Sequence, residues 1–337
     1  MAGRIIKTKV CLTVDTEPSV GGAFAAPGRN NPLLHEPVAG AVNGRSEALG
    51  FLIRTLREYG LQATFFVEAM HTAYFGEGVM ARYVNDLTDA GQDVQLHVHP
   101  CWLSFRNGLP DMDNFVSDEC ASHPLERLVE FFGRGKAQLK RWTGEEPVAL
   151  RTGSFSTSRA VFKAMRQVDL SVASNICVGY APPAEPDLRF ASGVHDVEGV
   201  LEFPVTCFRD MGPRGRGAYR GMQVNACGRW ELKALLDAAH RESYPYVIIA
   251  THPFEFVKRD SFRYKKIGRN GINQSRLEWL CSYLAMSPDR FEVTTMRALA
   301  GEPPLSINET QSELFSGAIS STMRTAQNVI NDLVWSL

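Results

Sequence analysis

The residues best suited to chemistry fall in three short segments far apart in the chain: VDTE at 14–17, LHVHP at 96–100 and THPF at 251–254. Each closes an apolar, strand-like run. In α/β folds the reacting groups gather at the carboxyl ends of strands, so segments this distant can meet in one pocket. Carboxylates with a His-x-His pair are what a divalent metal site needs.

In LTVDTE, strand alternation puts Thr13, Asp15 and Glu17 on one side, so that one acid could bind a metal while the other takes a proton from water. Taken alone, the segment also reads as a strand followed by a solvated acidic turn. In GQDVQLHVHPCW, Val94, Leu96 and Val98 share one face while Asp93, Gln95, His97 and His99 share the other. Histidines two apart on a strand present their imidazoles in parallel, which suits two ligands on one ion. Arg151 ends the apolar run VALRTG, where a buried guanidinium needs an anion, catalytic or structural. His252 follows YVIIAT and precedes a proline, the setting of a side chain held at a strand's carboxyl end for acid chemistry.

The elements that must position these groups alternate between apolar runs and amphipathic helices, the pattern of parallel strands joined by crossover helices. Strands are predicted at 10–15, 63–69, 93–98, 147–153, 171–178, 200–205, 246–252 and 291–296. Helices are predicted near 49–60, 79–89, 124–142, 157–168, 229–241 and 274–286, the first capped by Ser46 and ended by Gly60. Two long loops interrupt the rhythm, a Gly/Pro-rich one at 18–43 and a basic one at 209–224. From 309 to 336 the chain reads as helical, packed on its own barrel or against a second copy. The domain organisation is thus a barrel over 1–300 and a C-terminal helical extension over 301–337.

With 36 Lys and Arg against 37 Asp and Glu, the formal net charge is −1, which gives no electrostatic reason to expect nucleic acid or an anionic membrane as partner. The amino-terminal apolar run is too short for a signal peptide, and no stretch approaches the roughly 18 apolar residues of a membrane span. A soluble, cytoplasmic protein is expected. Seven cysteines without a CxxC pair read as buried free thiols.

In order and spacing, these residues resemble the polysaccharide deacetylase family (NodB-homology, carbohydrate esterase family 4) over residues 8–298. The matching segments are Asp15, the GQDVQLH run ending at His97, Arg151, DVEGVLEFP at 196–204 and THP at 251–253, with ATFFVEA like the family's second strand. The resemblance implies a distorted (β/α) barrel of about seven or eight parallel strands. Its implied activity is metal-dependent hydrolysis of N-acyl groups on amino sugars. Two departures stand out. The usual adjacent aspartates become Asp15-Thr16-Glu17, and the usual second histidine, four after the first, is Cys101. Either His99 or Cys101 then replaces that ligand, and strand alternation favours His99.

On this resemblance one divalent ion, zinc foremost, is held by Glu17, His97 and His99. Asp15 is the base, Arg151 holds it and His252 protonates the departing amine. Trp102, Phe155 and Arg216 are expected to contact substrate. A cytoplasmic location implies a small or carrier-linked amino sugar, nucleotide- or lipid-linked, from surface polysaccharide biosynthesis. Arg209, Arg214, Arg216 and Arg220 could meet a carrier phosphate. The competing readings are an amidohydrolase on a non-sugar amide and a catalytically silent sugar-binding barrel.

Overall fold

The computed structural model describes residues 7–211, 217–309 and 311–335, with side chains to 331. Labelled in chain order, its main strands begin with β1 (Thr8–Thr16), β2 (Thr64–Glu68), β3 (Asp93–Val98), β4 (Ala149–Thr152) and β5 (Val172–Ala173). They continue as β6 (His195–Val197), β7 (Val200–Glu202), β8 (Cys207–Asp210), β9 (Ala218–Gly221) and β10 (Tyr246–Thr251). The last are β11 (Val257–Arg259), β12 (Ile267–Arg269), β13 (Phe291–Thr294) and β14 (Leu314–Ser316).

One sheet runs in the order β6-β7-β5-β4-β3-β2-β1-β10, with β13 also on β1. Its pairings are parallel except β6 with β7. Strand β1 is central because both its edges are used: β10 pairs along 9–14, while β13 and β2 share the other edge. Buried on both faces, β2 and β10 are built on the apolar runs FFV and YVIIA, as parallel strands covered by helices must be. The sheet curls, and residues 205–206 bridge its ends. The N–H of Val205 donates to Ile176 O at 2.9 Å and that of Thr206 to Ile248 O at 3.0 Å. The result is a distorted (β/α) barrel.

Helices α1 (Leu49–Glu58), α2 (Gly78–Asp89), α3 (Leu125–Thr143), α4 (Arg159–Gln167), α5 (Arg229–Arg241) and α6 (Gly271–Ala285) follow the predicted periodicities. Ser46 lies two residues before the Ala48 cap position, yet its hydroxyl accepts the Gly50 N–H at 2.9 Å, so it serves an orphan donor of the first turn. Two expectations need correction. The strand expected over 171–178 is only β5, and beyond it the Ser174 carbonyl and hydroxyl accept from Arg151 while the Asn175 side-chain oxygen accepts the Thr152 N–H. The tail is not helical throughout. Leu314 and Ser316 are buried around an exposed Phe315, a period of two, and β14 pairs in parallel with β8 before helix α7 (Ala318–Trp335) begins. All seven cysteines are free and buried. Among the described residues, no helix is long and apolar enough to cross a membrane.

Candidate active site

The carboxyl ends of β1, β3, β4 and β10 bring the chemistry-bearing residues together. One ligand atom each from Glu17, His97 and His99 lies within 4.8 Å of the other two. The orientation of the rings is fixed from behind. His97 Nδ1 lies 2.7 Å from the Arg151 carbonyl, which can only accept, so Nδ1 carries the proton. In the neutral ring Nε2 then points a lone pair at Glu17 Oε2, 3.1 Å away. His99 repeats the arrangement: Nδ1 is 2.7 Å from Asp118 Oδ2, and Nε2 is 2.7 Å from the same Glu17 oxygen. That Nε2 is buried and has no well-formed hydrogen bond. Two imidazole nitrogens aimed at one carboxylate oxygen call for a cation among them. An N₂O donor set of this kind fits a borderline divalent ion such as zinc.

The electrostatics agree. Burial pushes Glu17 up, but His99 and His97 outweigh it and hold the carboxyl well below its usual range. Burial likewise depresses His99, yet Glu17 and Asp118 hold the imidazole well above its usual value. A proton on His99 thus balances two acids in the metal-free chain, and a cation on the same nitrogens would displace it.

His99 is gripped on three sides. Asp118 holds Nδ1, Glu68 Oε1 accepts the His99 N–H at 3.4 Å, and Gly153 lies against the ring. A Cβ at Gly153 would stand 2.3 Å from two ring atoms of His99. Register explains the proximity: His97 pairs with Arg151 and Val98 with Thr152, so Gly153 falls level with His99. Cys101 stands apart from the three converging groups. It lies in the 3₁₀ turn Pro100–Ser104, its N–H donates to Asp118 Oδ1, and burial together with Asp118 keeps the thiol well above its usual range.

Asp15 lies beside these groups, buried at the end of β1. Arg151 Nη1 donates to its Oδ1 at 2.7 Å, leaving Oδ2 at 3.7 Å from His252 Nε2. The guanidinium is saturated elsewhere by Ser174, whose carbonyl accepts from Nε at 2.9 Å and whose hydroxyl accepts from Nη2 at 2.7 Å. Phe66 and Phe155 cover its faces. Ser154 and Phe155 both adopt left-handed backbone (φ 52° and 55°), a strained turn that lays Phe155 over Arg151. His252 Nδ1 lies 2.9 Å from Glu255 Oε1, and Thr251 donates to the other oxygen at 2.6 Å. Burial lowers His252, but the hydrogen bond and charge of Glu255, with Asp15 and Glu17 behind, raise it to about 9.

A cleft of ≈ 340 Å³ opens on Glu17 and His99. Loop 18–43 roofs it with Pro18, Val20 and Phe24, while Trp102, fully buried, forms part of its wall. Phe155 is not among the lining residues; it packs on Arg151 and, edge-on, on Tyr180. Arg214 and Arg216 lie outside the described residues. Arg209 pairs with Glu313 at 2.9 Å and Arg220 with Asp210 at 3.9 Å, beside a larger cavity of ≈ 1120 Å³ under α7. That cavity is lined by none of the groups named above as candidate catalytic or metal-binding residues. Sequence reasoning missed Asp118, Glu255, Glu68 and Gly153. Of these only Glu68 carried a signal of the kind that marked Arg151, a charge closing an apolar strand.

No family model matches the sequence, and no curated protein matches it significantly. Solved structures do. A candidate polysaccharide deacetylase from Mycobacterium smegmatis superposes with a TM-score of 0.51 at 15% identity, covering 93% of this chain and 97% of that one. A carbohydrate esterase family 4 pseudoenzyme from Bacillus anthracis gives 0.43 at 11%, covering 93% and 71%. A family 4 acetyl xylan esterase from Clostridium thermocellum, in complex with a cobalt ion, gives 0.40 at 12%, covering 88% and 93%. The first overlay, nearly complete in both chains, establishes that this chain has the polysaccharide deacetylase (NodB-homology) fold.

Proposed function

We propose that the protein is a metal-dependent hydrolase that removes an acetyl or formyl group from the nitrogen of an amino sugar. The observation that carries this reading is the placement of Asp15 and His252 beside the convergence of Glu17, His97 and His99. These last three would hold the ion, which when bound supplies carbonyl polarisation and a more acidic water. Asp15 Oδ2 takes the proton from the attacking water, with Arg151 fixing the carboxylate through Oδ1. His252 Nε2 gives its proton to the amine nitrogen as the C–N bond breaks, and Glu255 fixes the donor ring through Nδ1. Arg151 and Glu255 are positioning residues on this reading.

Two measurements test the proposal together: metal content after purification without chelator, and release of acetate or formate from a panel of N-acetyl and N-formyl compounds. Stoichiometric metal with acyl release from amino sugars is expected. Release only from non-sugar amides would move the assignment to a general amidohydrolase. Absence of both metal and turnover would leave a sugar-binding barrel. A cytoplasmic role on an intermediate of surface polysaccharide synthesis belongs to the same proposal and is tested by the subcellular location of the native protein.

A further inference from the structure

The cleft has a charge pattern that N-acyl hydrolysis does not use. Its described lining includes one residue of the Lys/Arg class, Arg259, at the end of β11. Arg259 Nη1 donates to the Tyr264 hydroxyl at 2.6 Å, and its guanidinium lies 4.7 Å from the Tyr264 ring centre and 5.6 Å from that of Phe254. No carboxylate pairs with it among the described residues. Arg151, by contrast, is fully engaged by Asp15 and Ser174, and Arg269 on the neighbouring strand β12 pairs with Glu47 at 3.5 Å. Arg259 is therefore an oriented guanidinium, stacked between aromatics, with donors left for a ligand. Tyr264 is itself buried, with its hydroxyl beside Arg259.

Position makes this charge relevant to the substrate. Phe254, which Arg259 overlies, also stacks on His252 with ring centres 4.7 Å apart. An anion on Arg259 would thus be separated from the reacting amide by the span of Phe254. Size points the same way. At ≈ 340 Å³, roofed by Val20, Phe24 and Phe115, the cleft is at the low end of ligand sites, which run from about 300 to 1,000 Å³. The internal unit of a polymer needs an open groove on both sides.

We propose that Arg259 is the anion-recognition residue of this cleft and that the substrate is a small N-acyl compound bearing a phosphate or carboxylate, rather than an internal unit of a neutral polysaccharide. The proposal rests on the hydrolase reading for its substrate class, but its central claim concerns binding. It relocates phosphate recognition from the basic loop at 209–224 to the β11–β12 hairpin.

The test is calorimetric titration of the metal-loaded Asp15→Asn chain, in which turnover is slowed, with N-acetylglucosamine, its 6-phosphate, N-acetylglutamate and chitotetraose. The anionic compounds are expected to bind at least about 10-fold more tightly than the neutral ones, with affinity falling as salt rises. Adding Arg259→Ala should remove that preference, a loss of about 10–100-fold, since hydrogen bonds to charged groups contribute at this level. Arg259→Lys should restore part of it, because an ammonium supplies charge without the planar fork. A stronger phosphate arm identifies a sugar phosphate and a stronger carboxylate arm an N-acyl acid; either supports the proposal. Equal affinities with and without Arg259, or tighter binding of chitotetraose, would overturn it. Anion-selective binding by the Asp15→Asn chain, with no acyl release from any of these compounds by the metal-loaded chain that keeps Asp15, would sink the hydrolase reading and leave this one standing.

Discussion

Gly153→Ala is the sharpest test of the geometry around His99. Gly153 has no positive φ to protect, so alanine meets no backbone penalty there and acts only through its Cβ. That carbon would stand 2.3 Å from His99 Nδ1 and Cε1, against about 3.4 Å for ordinary contact, so the ring must retreat by about 1 Å. Metal–ligand distances tolerate roughly 0.2 Å. The displacement therefore withdraws Nε2 from the ion and strains the Asp118 contact together. Metal affinity should fall by at least the roughly 10–100-fold that loss of an outer-shell partner costs, and turnover by about 100-fold. Chelator competition reads the first and acyl release the second. Thermal unfolding of the metal-free chain serves as the control. Overpacking costs about 1–3 kcal/mol, a shift of a few degrees that cannot mimic the loss of metal. An unchanged dissociation constant in Gly153→Ala would refute the reasoning, since a ring free to move by 1 Å is not a ligand, and Cys101 would become the candidate in its place.

Asp118→Asn should weaken metal binding by less than Asp118→Ala, which should lose about 10–100-fold, because asparagine keeps an acceptor for His99 Nδ1 while losing the charge; competition with a chelating dye measures both. Asp15→Asn should retain the metal and lose about 10²–10⁴-fold in rate, and emptying of the site would make Asp15 a ligand instead. The alkaline limb of kcat/KM should reflect His252. Its acid form persists below about 9, so the rate falls as pH rises through that value, or through a lower one where a bound ion repels the second positive charge. In Glu255→Gln the raising influence is lost while burial remains, so the limb should move down by more than one unit; a stationary limb would assign it to another group.

The placement of these groups was legible in the sequence wherever periodicity or strand ends carried the signal. Alternation in DVQLHV and LTVD predicted which side chains share a face, and Arg151 and His252 declared themselves as polar residues closing apolar strands. What could not be read came from segments without a period. Asp118 sits in NFVSDEC, where nothing distinguishes it from a solvated acid, and it reaches His99 only because the chain folds back after the 3₁₀ turn at Pro100. Glu255 lies three residues past His252, a spacing that makes contact only once Pro253–Phe256 forms its turn. The β14 segment is hidden for the opposite reason: the apolar residues that follow it, from Ile319 on, keep a loose helical spacing and absorb three residues that alternate.

The two departures from the family's usual motifs are linked by register rather than independent. With Thr16 between the acids, Glu17 lies one residue beyond the end of β1 and must bridge the extra distance with its longer side chain. With cysteine at 101, the second imidazole comes from His99, one residue beyond β3, still in extended backbone (φ −117°, ψ 99°) rather than from the following turn. Relative to the usual spacing Glu17 comes one residue later and His99 two earlier, and both thus lie one residue past the end of their strand. For His99 the cost is steric, because parallel pairing sets position 153 directly beside it, and only glycine leaves room for the ring. It is also orientational, because a residue off the strand end has no ladder to hold it, and Asp118 with Glu68 supply the missing constraints. A chain with the acid-x-acid and His-x-His spacings should therefore need glycine after the Arg-Thr pair and a carboxylate in the loop following the histidines. Reverting one feature alone, by placing histidine at 101 with His99 intact, should crowd the Asp118 contact rather than rebuild the usual site.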